Sequence, residues 1–391
     1  MAQVQQLFGE EIQSVSYALR AYSFYASPPY YSEENDIADR REYYQKYRGF
    51  AYMDAGEALT FALDIPMEQN IRGTFLPMSG IAAVVSDPKA RRQGLVRQTL
   101  AHLLKVGKEQ GSVLSALYPF RESFYQRMGY TSFPLHQQLI FPVSSLSSLL
   151  KVDLPGTVNR HPMLEKYEEY RAFLKQHAQD VHGFAWNGLG GWDVRVAEKK
   201  QFWVAIARDQ GKIIGVMLYK VEGYEESLLV ERLYYQNSLA KYLLLNWLAR
   251  HEGQVRDIKL NLPSYARAET FWTDLSPKLS AATPPMGRIV DLQGLKGIAV
   301  GEGVFSAQII DPICPWQEGI WTFEGSDGYL DVRQGKQADC QLTIQALSAL
   351  VYGTHDPGDF TFRGWGKPSA ETQMHMRQIF SRQLPYIHEA F

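Results

Sequence analysis

The sequence predicts an α/β protein in which two mixed, twisted sheets follow one another and a smaller α+β domain ends the chain. Three observations predict this fold class. Residues 81–130 contain the pattern of a strand, a basic loop, an amphipathic helix and a second strand. Residues 228–265 repeat the order of strand, loop, helix and strand. Residues 305–332 alternate apolar and polar side chains, as sheet strands do, with a hairpin-type turn at Ser326-Asp327-Gly328.

Turn-rich segments divide the chain into three predicted domains. Residues 141–160 and 274–286 are rich in Pro, Ser and other residues that favour turns and linkers. We therefore expect domains at residues 1–145, 146–285 and 286–391. A chain of 391 residues is long enough for two or three separate cores.

The first fifty residues are expected to be largely helical, and strands are expected at residues 49–53, 57–63 and 70–76. Tyr22, Phe24 and Tyr25 form an aromatic cluster near the end of the first helix. Packing in the core is the more common role for such a cluster, and lining of a substrate cleft is the alternative.

The bulk composition is typical of a globular protein and argues against several function classes. A net charge of −2 gives no electrostatic footprint for nucleic acid or an anionic membrane. Cys314 and Cys340 are too few for a disulfide framework, and none of the nine histidines forms a pair with metal-ligand spacing. The sequence shows no signal peptide and no apolar run of the roughly 20 residues that span a bilayer. We expect a cytoplasmic enzyme without a metal.

The loop after the strand at residues 81–85 has the chemistry of a diphosphate cradle. A turn at Asp87-Pro88 leads to a basic hexad with one glycine. The helix that follows begins with free backbone N–H groups and a partial positive charge, which attract phosphate. Gly94 has no Cβ, so a diphosphate can lie directly on the main chain. The cradle residues are Arg91, Arg92, Gln93, Gly94, Leu95, Val96 and Arg97.

This loop resembles the acetyl-CoA signature of the GNAT superfamily of N-acetyltransferases, R/Q-x-x-G-x-G/A. Val96 departs from the signature, because the family has a small residue at this position. The longer pattern, which includes Phe124-Tyr125-x-Arg127-x-Gly129-Tyr130, resembles the Eis ("enhanced intracellular survival") acetyltransferases. The segment Arg288-Ile289-Val290-Asp291-Leu292 and the ending at Phe391 are similar to the same family.

The resemblance implies an acetyl-CoA-dependent N-acetyltransferase that acts through a ternary complex. It places contacts to the thioester and pantetheine arm at Val84, Val85 and Ser86, and further coenzyme contacts at Phe120 and Arg121. Tyr125 is the expected general acid for the leaving thiolate, and packing against Phe124 is its alternative role. The acceptors implied are polyamine-like, aminoglycoside or lysyl amines, and the assembly implied is a homo-oligomer, possibly a hexamer.

The expected base is unusual, because the family uses the carboxylate of its last residue. Apolar residues before Phe391 suggest a docked end, although most chain termini are frayed. An α-carboxylate with a pKa near ~3.5 is a poor match for an amine near ~10, so we expect it to hold the ammonium and pass its proton through water. His388 and Glu389 lie beside it and could share that work.

The second repeat lacks the cradle, because its loop reads Gln236-Asn237-Ser238 without glycine or arginine. We therefore expect coenzyme binding in the first repeat only, and a structural or pocket-lining role for the second. The last domain resembles the sterol-carrier-like domain of Eis proteins, and an antiparallel sheet with helices on one face is expected for it.

Two other functions are compatible with the cradle. One is transfer of a larger acyl or aminoacyl group, and the other is a CoA- or lipid-binding sensor without catalysis. The Tyr125 position favours chemistry over sensing.

Overall fold

The computed structural model describes residues 2–24, 41, 44–187, 201–389 and 391. The chain divides into two compact units. The first unit comprises residues 1–133, 183–188 and 285–391, and the second comprises residues 134–182 and 189–284. None of the helices described has the length and apolar character needed to cross a membrane.

The described residues form strands and helices throughout the chain. The strands are β1 (Gln3–Leu7), β2 (Arg48–Asp54), β3 (Glu57–Ile71), β4 (Thr74–Ser86), β5 (Leu114–Leu117), β6 (Thr131–Ser132), β7 (Gln137–Pro142), β8 (Thr157–Pro162), β9 (Ala185–Trp186), β10 (Trp203–Asp209), β11 (Lys212–Val221), β12 (Ser227–Tyr235), β13 (Asp257–Leu262), β14 (Lys278–Ala281), β15 (Met286–Ile289), β16 (Gly303–Ile310), β17 (Gly319–Ser326), β18 (Tyr329–Gln334) and β19 (Cys340–Thr343). The α-helices are α1 (Glu10–Phe24), α2 (Leu95–Glu109), α3 (Glu122–Gln126), α4 (Tyr167–His177), α5 (Ser238–Ala249), α6 (Ile344–Tyr352), α7 (Phe360–Arg363) and α8 (Ala370–Ile379).

The first unit contains a mixed sheet with the strand order β1-β2-β3-β4-β5-β15-β6, to which β9 adds by pairing with β3. β4 and β5 are parallel neighbours, and α2 connects them. Leu100, Leu103, Leu104 and Gly107 of α2 are all buried, which confirms the predicted apolar face of this helix.

The same unit contains a second sheet with the order β18-β17-β16-β19. The predicted hairpin between β17 and β18 is confirmed, with positive φ at Asp327 (54°) and Gly328 (83°). This pair of angles is typical of a type I′ turn. The expectation of a purely antiparallel sheet is wrong, because β19 pairs in parallel with β16.

The second unit is built on one sheet with the order β14-β7-β13-β12-β11-β10-β8. β12 and β13 are parallel neighbours connected by α5, the same strand–helix–strand order that β4, α2 and β5 have. The predicted duplication of the fold is therefore present in the connectivity of both units. The division into units differs from the predicted boundaries, since β7 joins the second sheet and β15 joins the first.

Two features of the N-terminal region differ from the sequence predictions. The described part of the first fifty residues contains the expected helix, α1, but also a strand that was not expected, β1. The strand expected at residues 70–76 spans a hairpin turn, where Arg72 (φ 51°) and Gly73 (φ 87°) connect β3 to β4. Asn-Gly and Asp-Gly are the usual signals of this turn, and Arg-Gly is a weaker one.

Two members of the predicted aromatic cluster, Tyr22 and Phe24 of α1, do not pack in the core. Tyr22 is 51% exposed and Phe24 is 58% exposed. Tyr25 lies outside the described residues.

A charged residue, Asp64, lies inside the first sheet. It is 0% exposed, and the Nη2 atom of Arg48 on the adjacent strand lies 2.6 Å from its Oδ2 atom. Burial raises the pKa of the Asp64 carboxyl from 3.8 to about 6, although the charge of Arg48 acts in the opposite direction. Burial therefore outweighs the ion pair at this position.

We predict that the stability contribution of Asp64 decreases as the pH rises. The folded chain binds the Asp64 proton more tightly than the unfolded chain, so this contribution is fully present below pH 4 and is lost as the pH rises through about 6. The free energy of unfolding of the wild type, relative to Asp64→Asn, should fall by about 2 kcal/mol between pH 4.5 and pH 7. Urea unfolding of both proteins at several pH values measures this difference. Parallel pH profiles would contradict the prediction.

Candidate active site

The end of β4 and the start of α2 form a loop with the local geometry of an anion cradle. After Ser86, the Asp87 side chain accepts the Lys89 N–H at 2.8 Å and begins a 3₁₀ turn, Pro88–Ala90. Arg92 and Gly94 then adopt positive φ, at 63° and 76°. Gly94 is the N-cap of α2 and has no side chain to cap the helix. The helix start is therefore left open toward solvent.

The backbone N–H groups of this first turn are available to a ligand. The first intrahelical bond is the one that the Gln98 N–H donates to the Gly94 carbonyl, at 3.1 Å. The N–H groups of Leu95, Val96 and Arg97 precede it and point out of the helix start. A Cβ added at Gly94 would meet no atom within 4 Å, so the space above the glycine is open.

The predicted cradle residues lie around this opening. Arg91, Arg92, Gln93, Gly94 and Arg97 are exposed, Val96 is half-buried, and Leu95 is buried under the helix. The Gln93 side chain turns back and donates to the Lys89 carbonyl at 2.8 Å. This short segment thus contains three exposed arginines and three amides that precede the first intrahelical bond, a composition that fits a doubly charged diphosphate.

A buried contact fixes the helix that carries this cradle. The hydroxyl groups of Thr99 and Thr60 lie 2.6 Å apart and join the first turns of α2 to β3. Both side chains are 1% exposed. The cradle is therefore part of a rigid strand–helix junction, although the loop itself is exposed.

Next to the cradle, β4 and β5 separate. Their parallel register runs from Met78 opposite Leu114 to Ile81 opposite Leu117, and β4 then continues for five more residues. On its other side, β4 remains paired with β3 through a bulge near Ala83, whose φ is 49°. The main-chain groups between this bulge and Ser86 that face away from β3 have no partner strand among those described.

The predicted contacts to the thioester arm lie on this free edge. Val84, Val85 and Ser86 form the last three residues of β4. Val84 and Ser86 are half-buried, and Val85 is 5% exposed. An extended ligand could therefore bind to the edge of β4 as an added strand does, through main-chain hydrogen bonds.

Tyr125 lies on one face of the first sheet. It belongs to the short helix α3, is 2% exposed, and packs in a buried cluster with Ile81, Leu100 and Leu117. Burial, with a smaller contribution from Tyr130, raises the pKa of the Tyr125 phenol, so it stays protonated at neutral pH. The predicted ring contact with Phe124 is present, with centroids 5.0 Å apart.

The two predicted coenzyme contacts before α3 are on the surface. Phe120 is 70% exposed, and its ring centroid lies 5.5 Å from that of Tyr125. Arg121 is also exposed and is the N-cap of α3.

Phe391 lies against the opposite face of the same sheet. Its ring packs edge-to-face on Tyr118, with centroids 5.7 Å apart, and reaches within 3.2 Å of where a Cβ at Gly80 would be. Gly80 faces Met67, whereas its neighbour Ile81 lies in the Tyr125 cluster. Successive residues of a strand point to opposite faces. Tyr125 and Phe391 therefore lie on the two sides of the sheet, beside the point where β4 and β5 separate.

Contacts that the sequence did not reveal hold the last residues in place. Residues 183–187 run along β3, and the Glu389 N–H donates to the Ala185 carbonyl at 3.4 Å. The Glu389 carboxylate accepts the Asn187 N–H at 2.9 Å, and the His388 ring stacks on Phe184 at 4.7 Å. The side chains of His388 and Glu389, which the sequence suggested could assist the base, thus make anchoring contacts. No sequence signal identified residues 183–187, because their pairing is long-range.

The loop of the second repeat is closed where that of the first is open. Asn237 is the N-cap of α5, and its side-chain oxygen accepts the Ala240 N–H at 2.9 Å. A protein side chain thus uses a backbone donor that a phosphate would need.

In the described parts of the chain, no group of three or more His, Cys, Asp or Glu side chains could hold a metal ion.

Comparison with protein families identifies three matching domains. One acetyltransferase (GNAT) domain family matches residues 6–133, and another matches residues 182–289. A sterol carrier protein domain family matches residues 300–388. A search of curated protein sequences finds no significant match.

Solved structures with the same fold span the whole chain. A probable N-acyltransferase from Enterococcus faecalis, described as a conserved protein of unknown function, has a TM-score of 0.86 at 21% identity. A GCN5-related N-acetyltransferase from Anabaena variabilis has a TM-score of 0.83 at 17% identity. Eis1 from Mycobacterium abscessus has a TM-score of 0.81 at 15% identity. Each alignment covers 100% of both chains.

We predict that Gly94→Ala weakens coenzyme A binding in addition to its cost in stability. The added methyl group would occupy the open space over the amides, and alanine at positive φ costs roughly 1–2 kcal/mol of folding free energy. We expect calorimetric titration to give a Kd at least about tenfold higher, which is about 1.4 kcal/mol.

The matched control is Gly111→Ala. Gly111 follows the other end of α2, has φ 94°, and also has open space around its missing Cβ. This variant should lose similar stability and keep its affinity for coenzyme A. Equal affinities of the two variants would remove Gly94 from the binding site.

Proposed function

We propose that this chain, which matches two GNAT domain families and a sterol carrier domain family, is an Eis-like acyltransferase that transfers the acetyl group of acetyl-CoA directly to an amine. The observation that carries the proposal is the open start of α2 at Gly94 beside the free edge of β4. We assign the diphosphate to the cradle residues and the pantetheine arm to Val84, Val85 and Ser86.

Direct transfer makes two demands on the protein's own side chains. The C–N bond to the acetyl group forms while the C–S bond breaks, so the amine loses a proton and the thiolate gains one. A proton donor is needed at the sulfur, and a proton acceptor is needed at the amine. Tyr125 and Phe391 lie on opposite faces of the sheet, beside the gap between β4 and β5. This arrangement suits an acid and a base that act on the two ends of one reacting group.

We assign the acid role to Tyr125. Its raised pKa keeps the phenol protonated until the thiolate forms. A coenzyme thiol has a pKa near ~8.5, well below that of this phenol. Full proton transfer from the phenol to the thiolate is therefore uphill, so we assign Tyr125 the role of a hydrogen-bond donor to the sulfur as the C–S bond breaks.

We assign the base-assisting role to the carboxylate of Phe391. A carboxylate with a pKa near ~3.5 attracts an ammonium group but does not fully deprotonate it. The carboxylate would therefore hold the ammonium group, and the proton of that group would pass to water. The polyamine, aminoglycoside or lysyl acceptors implied by the family all carry an ammonium group that this carboxylate would attract. Assembly of this chain into a homo-oligomer, which the resemblance also implies, stays a prediction.

We predict that the purified protein releases thiol from acetyl-CoA with at least one member of a panel of polyamines, aminoglycosides and lysine peptides. Tyr125→Phe should lower kcat by about 10²-fold, the low end for a lost general acid, while the Kd for coenzyme A changes little. Colorimetric thiol detection measures the rate.

The control for Tyr125→Phe is Tyr352→Phe. Tyr352 is another buried tyrosine of the same unit, and its hydroxyl donates to Gln69 Oε1 at 2.9 Å. This variant should lose stability and retain kcat. If none of the amines in the panel causes thiol release, the sensor function is supported instead. Full activity of Tyr125→Phe would exclude this residue as the acid.

We predict that a short Gly-Ser extension after Phe391 lowers kcat at least about tenfold without weakening coenzyme A binding, because it removes the carboxylate from the site. Deletion of Phe391 should have the same effect.

Phe391→Tyr is the control for this test, because it keeps both the carboxylate and an aromatic ring against Tyr118. The same extension at the N-terminus controls for the tag itself. If the C-terminally extended enzyme is as fast as the wild type, the carboxylate has no part in the reaction.

A further inference from the structure

The helix that carries Tyr125 is too short to be stable without contacts from the rest of the protein. α3 has five residues, far fewer than the ~12 needed for a marginally stable isolated helix. The chain leaves it through a compact turn, in which the N–H groups of Met128 and Tyr130 both donate to the Tyr125 carbonyl, at 2.8 and 3.1 Å. The Gly129 N–H donates to the Gln126 carbonyl at 3.0 Å. The position of Tyr125 therefore depends on what holds this turn.

Two side chains from the last third of the chain bind this turn. Arg288 of β15 donates through Nη1 to the Met128 carbonyl. Gln345 of α6 donates through Nε2 to the Gln126 carbonyl at 2.7 Å. Both donors point at the carbonyl end of α3, where the helix dipole is negative and a cation is favoured.

Arg288 is itself fixed on every side. It is 0% exposed, and its Nη2 atom lies 2.5 Å from Oδ2 of Asp311, which is also 0% exposed. Its Nε–H donates to the Ile289 carbonyl at 3.1 Å, and its guanidinium carbon lies 5.8 Å from the centroid of the Tyr130 ring. The guanidinium thus connects the turn after α3 to the second sheet of the unit.

Asp311 is held as firmly as its partner. Its Oδ1 atom accepts the N–H groups of Ile313 and Cys314 at 3.2 and 3.1 Å. Its Oδ2 atom also accepts Gln317 Nε2 at 2.9 Å. A carboxylate with this many donors cannot rotate away from Arg288 without losing them.

Gly129 allows this close approach. Its φ is 91°, and a Cβ at this residue would lie 2.6 Å from Arg288 Nη1 and 2.9 Å from a methyl carbon of Ile344. Any larger residue would separate the turn from both groups of the C-terminal region. The glycine of the downstream motif is thus explained by the arginine that contacts it.

We propose that Arg288, oriented by Asp311, and Gln345 are positioning residues that set the placement of Tyr125 for acyl transfer. The proposal rests on the acid role assigned to Tyr125. It makes the catalytic step depend on residues 286–391, which contain the sterol carrier domain, through the turn that follows α3.

The test combines two substitutions with two readouts on the full chain. Gln345→Ala removes one donor without breaking a buried ion pair, and Arg288→Lys keeps the charge but loses the forked donor geometry. The first readout is kcat together with the KM for acetyl-CoA. The second is hydrogen exchange of the peptide that covers residues 122–132, which contains the Met128, Gly129 and Tyr130 amides.

We expect kcat to fall about tenfold in Gln345→Ala and up to about 10²-fold in Arg288→Lys, because small displacements of a catalytic group have effects of this size. The KM for acetyl-CoA should stay within about twofold, since the cradle is untouched. Exchange of the peptide should be faster in both variants. Gln345→Lys, which keeps a donor at this position, should recover most of the kcat.

Each variant has a matched control. Arg72 is a buried arginine of the same unit that donates to the Leu350, Val351 and Ser381 carbonyls and does not contact α3. Gln373 donates to the Pro368 carbonyl at 3.1 Å. Arg72→Lys and Gln373→Ala should lose stability without a change in kcat or in exchange of the peptide.

Two results would overturn the proposal: unchanged exchange of the peptide in both variants, or faster exchange with an unchanged kcat. If the wild type transfers no acetyl group to any amine, the proposed function fails instead. The exchange result still decides whether Arg288 and Gln345 hold α3.

Discussion

The separation of two parallel strands is the constraint on which the candidate site depends. β4 and β5 stay paired only as far as Ile81 and Leu117, while β4 keeps its partner β3 to its last residue. A main chain with one free edge must find hydrogen-bond partners in water or in a ligand. The cradle at Gly94 begins where this edge ends. The coenzyme recognition that we propose for main-chain groups at both places would follow from one departure from regular sheet pairing.

The two repeats show how little must change to lose such a site. Both connect parallel strands through a helix, and both leave the first strand longer than its pairing with the second. In the first, Gly94 contributes no side chain at the helix start, and three arginines lie nearby. In the second, the Asn237 side chain bonds to the Ala240 N–H. An ordinary N-cap stabilises the helix and competes with any anion for its amides, so the second repeat retains the fold without the cradle.

The parts of the structure that could be predicted from the sequence are those set by local chemistry. The Asp327-Gly328 hairpin, the buried face of α2 and the loop at Gly94 each depend on a few adjacent residues. The errors involve distant residues or weak signals. β19 and β15 are four-residue strands whose partners lie more than 30 and 150 residues away, and short apolar runs do not reveal such pairing. The anchoring of residues 386–389 by residues 183–187 was missed for the same reason.

The same long-range pairing explains why the last third of the chain bears on the first domain. β15 adds to the first sheet next to β5, and this pairing brings Arg288 to the turn that follows α3. The segment before Phe391 runs beside residues 183–187, which pair with β3. The turn near Tyr125 is thus held by chain that is synthesised after the second repeat, whereas the segment before Phe391 is held by residues 183–187, which precede that repeat. A first repeat alone would retain the cradle, because Gly94, Thr99 and Thr60 all lie within it. It would lack Arg288 and Gln345, which we propose to position Tyr125, and Phe391, which we propose to supply the carboxylate. On this proposal, coenzyme binding and acetyl transfer have different structural requirements within the same chain.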